Sequence, residues 1–196
     1  MVASPRNLGS GVKEKNSVHP LIMLYQPLIL KTIEASSFST WLRESDSVFA
    51  FYFILCLHTI GMLMLVGPSA AIDLRILGMA RDIPLAPLEK CFKLIYTGFG
   101  INVVSGTLLV YAYPTKAVTN PDFYIKLSLI GIGMWTVTRI KKRVFDDTTL
   151  SEAARMARGA ALARWSLVIW IGVITAGRLL AYTYTYLLYG AYAPGG

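Results

Sequence analysis

Acidic residues are scarcest in this chain where they would have most effect. Its 196 residues hold 11 Asp and Glu against 19 Lys and Arg, and no acid falls inside any of four long apolar stretches. Charged residues make up only 15% of the chain, hydrophobic residues 55%, and the mean hydropathy is +0.53, a composition that excludes a soluble globular domain and implies an integral membrane protein. Cysteine is as sparse, with only Cys56 and Cys91, which fall at different depths of two stretches. A disulfide needs Cα atoms within about 7 Å, so both are expected to stay free. No C-x-x-C or C-x-x-C-H marks zinc, dithiol redox chemistry or c-type haem attachment, and no N-x-[ST] sequon occurs. There is no nucleophile–base pair, carboxylate pair or metal-hydrolase motif, which argues against catalysis by this chain alone. Gly98-Phe-Gly100 sits inside an apolar stretch with no strand before it, so it is no nucleotide loop. The net charge of +8 comes from bases that flank the apolar stretches, where they face anionic lipid and not nucleic acid.

What is present is an expected all-α fold: an integral bundle of four transmembrane helices, an extended N-terminal arm and amphipathic surface helices. Residues 1–46 form the arm, polar and rich in Gly, Ser and Pro over 1–20. Leu21–Leu30 is apolar but too short to span and reads as an interfacial or re-entrant piece. It fits a cleavable signal peptide poorly. Residues 47–196 form the transmembrane domain, with spans expected at about 47–66, 92–113, 123–140 and 165–189. Gly67-Pro68 is expected to end or kink the first span, with the rhythm of Ile72, Leu74, Ile76 and Leu77 running on along the membrane face. Lys126 and Arg139 make the third span the least apolar. An amphipathic helix is expected over about 150–162, opened by a Thr149/Glu152 capping box and carrying Leu150, Ala153, Ala154, Ala157 and Ala161 on one face. Trp165 and Trp170 at one end of the fourth span, and Tyr182, Tyr184, Tyr186 and Tyr189 at the other, read as aromatic belts.

Basic residues set the expected orientation. Arg75, Arg81, Lys90 and Lys93 flank the first loop and seven more bases fill 139–164, whereas the second loop and tail hold Lys116 and Lys126. The positive-inside rule then places loops 1–2 and 3–4 in the cytoplasm and both termini outside. Arg139, Lys141, Lys142, Arg143, Arg155 and Arg158 are the expected lipid-facing bases. A bacterial cytoplasmic (inner) membrane is the expected location.

By residue count, His58, Asn102 and Arg178 fall near mid-bilayer, where they can converge on one polar site. Three readings of His58 compete. It could ligate a metal, as the axial ligand of haem b iron or of a chlorophyll-type pigment, with Met62 one turn along and Arg178 as counter-charge. It could carry protons in transport, or donate a structural hydrogen bond. The other histidine, His19, lies on the arm, so a second imidazole for a haem must come from elsewhere. Arg178 has no acid of this chain at its expected depth, which points to a partner subunit or a bound lipid or ligand. Small residues, among them Gly98, Gly106, Gly133, Gly172 and Gly177, permit close helix approach.

Leu57-His58-Thr59-Ile60-Gly61 through Gly67-Pro68, then Asp73-Leu74-Arg75-Ile76-Leu77-Gly78, resembles small uncharacterised bacterial four-span membrane proteins and, more distantly, the copper-resistance D type, with its Leu-His-x-x-Gly pattern. With Ala176-Gly177-Arg178, the resemblance covers about residues 40–190. It implies a membrane location and makes His58 and Arg178 the matched positions.

The expected function is an accessory, non-catalytic subunit of a larger bacterial membrane assembly. Other membrane protein subunits and anionic lipids are its partners, contacted through the arm and the small-residue helix faces. The alternatives are a haem- or pigment-binding electron-transfer module and a transporter of copper or a small solute.

Overall fold

The computed structural model describes residues 28–44, 51–80, 82–147 and 149–189, and the secondary structure among them is helical throughout. Residues 1–27, most of the expected arm, and 190–196 lie outside the described residues. Helix α1 covers Leu28–Glu34, α2 Ser37–Glu44, α3 Phe51–Ile76, α4 Leu85–Leu88, α5 Cys91–Ala112, α6 Pro114–Val118, α7 Pro121–Ile140 and α8 Glu152–Tyr189; a π-helical turn, Lys141–Phe145, continues α7. Three stretches, Phe51–Ile76, Leu85–Ala112 and Glu152–Leu180, are long and apolar enough to cross a membrane. Helix α7 falls short of them in apolarity, although its 20 residues would reach about 30 Å.

Local chemistry sets the helix boundaries. Asn120 caps α7 by accepting the Asp122 N–H at 2.9 Å, and Pro121 stands at the first turn, where its missing N–H costs nothing. Pro68 does not end the first span: α3 runs through it for 26 residues. The Ser69 hydroxyl donates to Leu65 O at 2.7 Å beside the interrupted backbone ladder, and packing on both flanks holds the last turns helical.

A single helix, α8, replaces the expected surface helix and fourth span, and its inward face is not the expected alanine row. Ala153, Ala157 and Ala161 face outward, whereas Gly159, Ala163, Ser166, Trp170 and Val173 turn in. Gly159 decides this rotation, because a Cβ there would meet Val144 at 2.5 Å. Its cap also differs from the expected Thr149/Glu152 box. Ser151 Oγ accepts the Ala154 N–H at 3.4 Å, since the Thr149 hydroxyl is engaged with Asp147.

The long helices pair antiparallel. His58 meets Ser105 and Gly106 while Leu65 meets Gly98, so α3 and α5 run in opposite directions. Lys126 beside Gly177, Leu129 beside Gly172 and Gly133 beside Trp170 show the same for α7 and α8. Helix α3 packs on α8 and joins the two pairs. One core results, built from Leu65, Ile72, Phe92, Ile95, Val137, Val144, Trp170 and their neighbours, with Phe92 edge-on to Phe145 at 5.0 Å. Trp170, expected in a belt, is 1% exposed in this core. Trp165 and Tyr182 do face outward, as do Phe53, Leu63, Val104, Trp135 and Ile171.

The described end of the arm caps the bundle. Carbonyls left over at the C-terminus of α5 find donors on α2: Ser39 Oγ reaches Tyr111 O at 3.1 Å and Ala112 O at 3.3 Å, and Arg43 also reaches Ala112 O. Arg43 pairs with Glu34 at 3.5 Å, and Glu34 accepts the Thr115 hydroxyl of α6. Phe38 and Trp41 remain on the outer side of α2.

Candidate functional site

Glycine lets two polar side chains meet in the α3–α5 seam. A Cβ at Gly98 would lie 2.8 Å from both Gly61 O and Leu65 N, and one at Gly61 would lie 2.7 Å from Asn102 Nδ2. Backbones this close bring the half-buried His58 ring to Ser105, with Nδ1 and Oγ 3.0 Å apart, and its Cε1 against Gly106. Ser105 Oγ also donates to Ile101 O at 2.6 Å, so when that donation is made the imidazole Nδ1 carries the proton and Ser105 accepts it. Asn102, 8% exposed, donates to Gly98 O at 3.2 Å, while its Oδ1 is buried without a partner among the described residues. The structure thus brings His58, Asn102 and Ser105 together.

Arg178 is not part of this cluster. It stands on the outer face of α8, exposed, in a stripe with Ile171, Ile174, Thr175 and Tyr182. Pairing of α7 with α8 sets Tyr182 level with the start of α7, and Arg178 lies about 6 Å along the bundle from that level. Lys126 of α7 is a cation that turns toward α8. A methyl at Gly177 would lie 3.8 Å from its Nζ. Hydropathy marks Lys126 as a flaw in a span; only the inter-helix register reveals that it faces the bundle.

Met62 is half-buried and packs against the main core. No group of three His, Cys, Asp or Glu that could hold a metal occurs among the described residues, so a metal at His58 would need ligands from elsewhere. A hollow of about 320 Å³ lies between Arg143 and Arg158; neither it nor the closed space bounded by Ser69, Ile72, Asp73, Phe92, Ile95, Val137 and Ile140 adjoins His58.

The six expected lipid-facing bases divide by partner. Arg139 lies over the Trp135 ring at 5.2 Å, Lys141 pairs with Asp146 at 3.1 Å and Arg158 with Asp147 at 3.3 Å. Lys142 and Arg143 are exposed, and Arg155 turns in to donate to Val144 O at 3.2 Å. The buried guanidinium belongs to Arg75. Its Nη2 meets Glu152 at 2.8 Å, Nη1 meets Met156 Sδ and Nε donates to Ile83 O.

Asp73 is the residue that hydropathy misplaces most. Expected on the membrane face, it is 1% exposed and opposite Ser166 of α8. A single acid after a proline gives no local sign of burial. The nearest sequence signal is Ser69, one turn earlier on the same face.

No protein-family model matches the chain, and neither a curated protein nor a solved structure does.

Proposed function

We propose that this chain is a four-span subunit of the bacterial cytoplasmic membrane, with α7 as the additional crossing and the basic inner loops in the cytoplasm, and that it acts by holding a partner protein without catalysing a reaction. Exposed Tyr124, Ile125, Leu127, Ile132 and Trp135 support a lipid-facing α7. One observation carries the subunit reading. Arg178 presents a permanent charge on an otherwise apolar outward stripe, and no acceptor for it occurs among the described residues. A guanidinium there favours an anion, and a carboxylate on a neighbouring transmembrane helix meets it bidentately.

The test is native-gel analysis after mild solubilisation from native membranes. Arg178→Gln is expected to release the chain from a larger band that Arg178→Lys partly retains. Migration unchanged by Arg178→Gln counts against the reading, and loss of co-purifying anionic lipid with no change of protein band transfers the role to lipid.

A second reading rests on His58. With Nδ1 engaged by Ser105, Nε2 is the nitrogen left for an axial bond, the division of labour that orients ligating imidazoles. A Soret or pigment band that His58→Ala abolishes would establish it; a colourless protein purified from native membranes would end it.

A further inference from the structure

The basic-loop end of the bundle encloses a carboxyl group with no cation beside it among the described residues. Asp73, on the last turn of α3, is 1% exposed, and its Oδ2 has no hydrogen-bond partner among the described residues. Ser166, facing it from α8, is fully buried, and its Oγ likewise lacks a partner of good geometry. The surrounding space is lined by Ser69 and Ile72 of α3, Phe92 and Ile95 of α5, and Val137 and Ile140 of α7, and it has no room for a water molecule. The Ser69 hydroxyl is committed to Leu65 O.

Charges on the neighbouring elements are engaged elsewhere or, like Lys93 of α5 and Arg164 of α8, stand exposed. Arg75 of α3 is held by Glu152, Ile83 O and Met156. On α8, Arg155 donates to Val144 O, though its Nε is buried without an acceptor among the described residues, and Glu152 is the partner of Arg75. Arg139 of α7 lies over Trp135, and α5 offers Asp73 only Phe92 and Ile95. Among the described residues, the Ser166 hydroxyl is the polar side-chain group that faces Asp73 from α8. A carboxylate this deeply buried, with no water or cation beside it among the described residues and a single hydroxyl facing it, is strongly disfavoured, and such a group takes up a proton instead.

We propose that Asp73 is a proton-binding site: it holds a proton while the four helices are closed around it and releases that proton to water when the inner ends of α3 and α8 separate. Release breaks the carboxyl O–H bond, leaves the electron pair on Asp73 and passes the proton to a water entering from the basic-loop side. The resulting carboxylate opposes closure, so proton binding and helix packing favour one another. This site is independent of Arg178 and of any partner held there.

Infrared spectroscopy of the full chain in lipid vesicles at neutral pH tests it. A carbonyl stretch of a protonated carboxyl, downshifted in deuterated buffer, is expected in the unaltered protein. It should disappear in Asp73→Asn, move in Asp73→Glu and rise in frequency in Ser166→Ala. Spectra identical between the unaltered protein and Asp73→Asn in that region would overturn the proposal. The second measurement is thermal unfolding against pH. The unaltered protein should lose stability relative to Asp73→Asn as pH rises, because the closed state binds the proton more tightly. Parallel pH profiles would overturn the coupling to packing.

Discussion

Arg75, on the last turn of α3, closes on Glu152, the first residue of α8, at 2.8 Å. The pair joins two helices whose ends are far apart in sequence and fixes where α8 begins relative to the bundle. The Arg75 side chain is only 6% exposed, whereas that of Glu152 is 44% exposed, so water screens one side of the pair.

Arg75→Leu should therefore cost about 1–3 kcal/mol, less than the loss of a fully buried pair. Denaturant unfolding in detergent measures it. Glu152→Gln should cost less than Arg75→Leu, because Arg75 keeps Ile83 O and Met156. Equal and negligible costs for both would show the pair to be idle.

Gly98→Ala should destabilise by about 2 kcal/mol, since the added methyl meets backbone atoms of Gly61 and Leu65 at 2.8 Å and backbone cannot step aside. Gly100→Ala is the control. Nothing lies within 4 Å of its Cβ position, and the change should be neutral or stabilising by about 0.5–1 kcal/mol through helix propensity. The two variants should also differ in the NMR signals of the imidazole. The His58–Ser105 hydrogen bond is expected to break in Gly98→Ala and to persist in Gly100→Ala.

Ser39→Ala removes a donor from the carbonyls that end α5, at a cost of about 1 kcal/mol. Hydrogen exchange is the suitable readout. Amides of Ser37–Glu44 should exchange faster while those of Phe51–Ile76 stay protected. Uniform acceleration would contradict a local cap.

In the loop after the π-helical turn, the Thr149 hydroxyl donates to Asp147 and, with the Thr149 N–H and the Arg158 and Arg155 guanidinium groups, holds its carboxyl below the usual carboxylate range. A depressed carboxylate contributes its stabilisation above the ordinary titration range and loses it as pH falls through the folded value. Thr149→Val should raise the Asp147 midpoint toward the ordinary value in a carbon-detected NMR titration. An unmoved midpoint would shift the cause to the arginines.

The apolar stretches alone determined that this chain forms helices long and apolar enough to cross a membrane, because twenty or so consecutive apolar residues leave a chain in lipid little choice but to bond its backbone internally. Three of the expected spans are helices of sufficient length and apolarity, and Asn102 and His58 fall close together because both lie at matching depth on neighbouring antiparallel helices. Facing was not legible in the same way. Hydropathy sums along one helix and is blind to rotation about its axis, which is set by where backbones can touch. Gly159 against Val144, Gly133 against Trp170 and Gly61 against Gly98 set those rotations. They turn Arg178 outward and Trp170 inward, and they bury Asp73 among side chains from three other helices. Depth is a property of the sequence in one dimension; which neighbour a polar group finds at that depth belongs to tertiary packing, where a missing Cβ decides which face of each helix comes close.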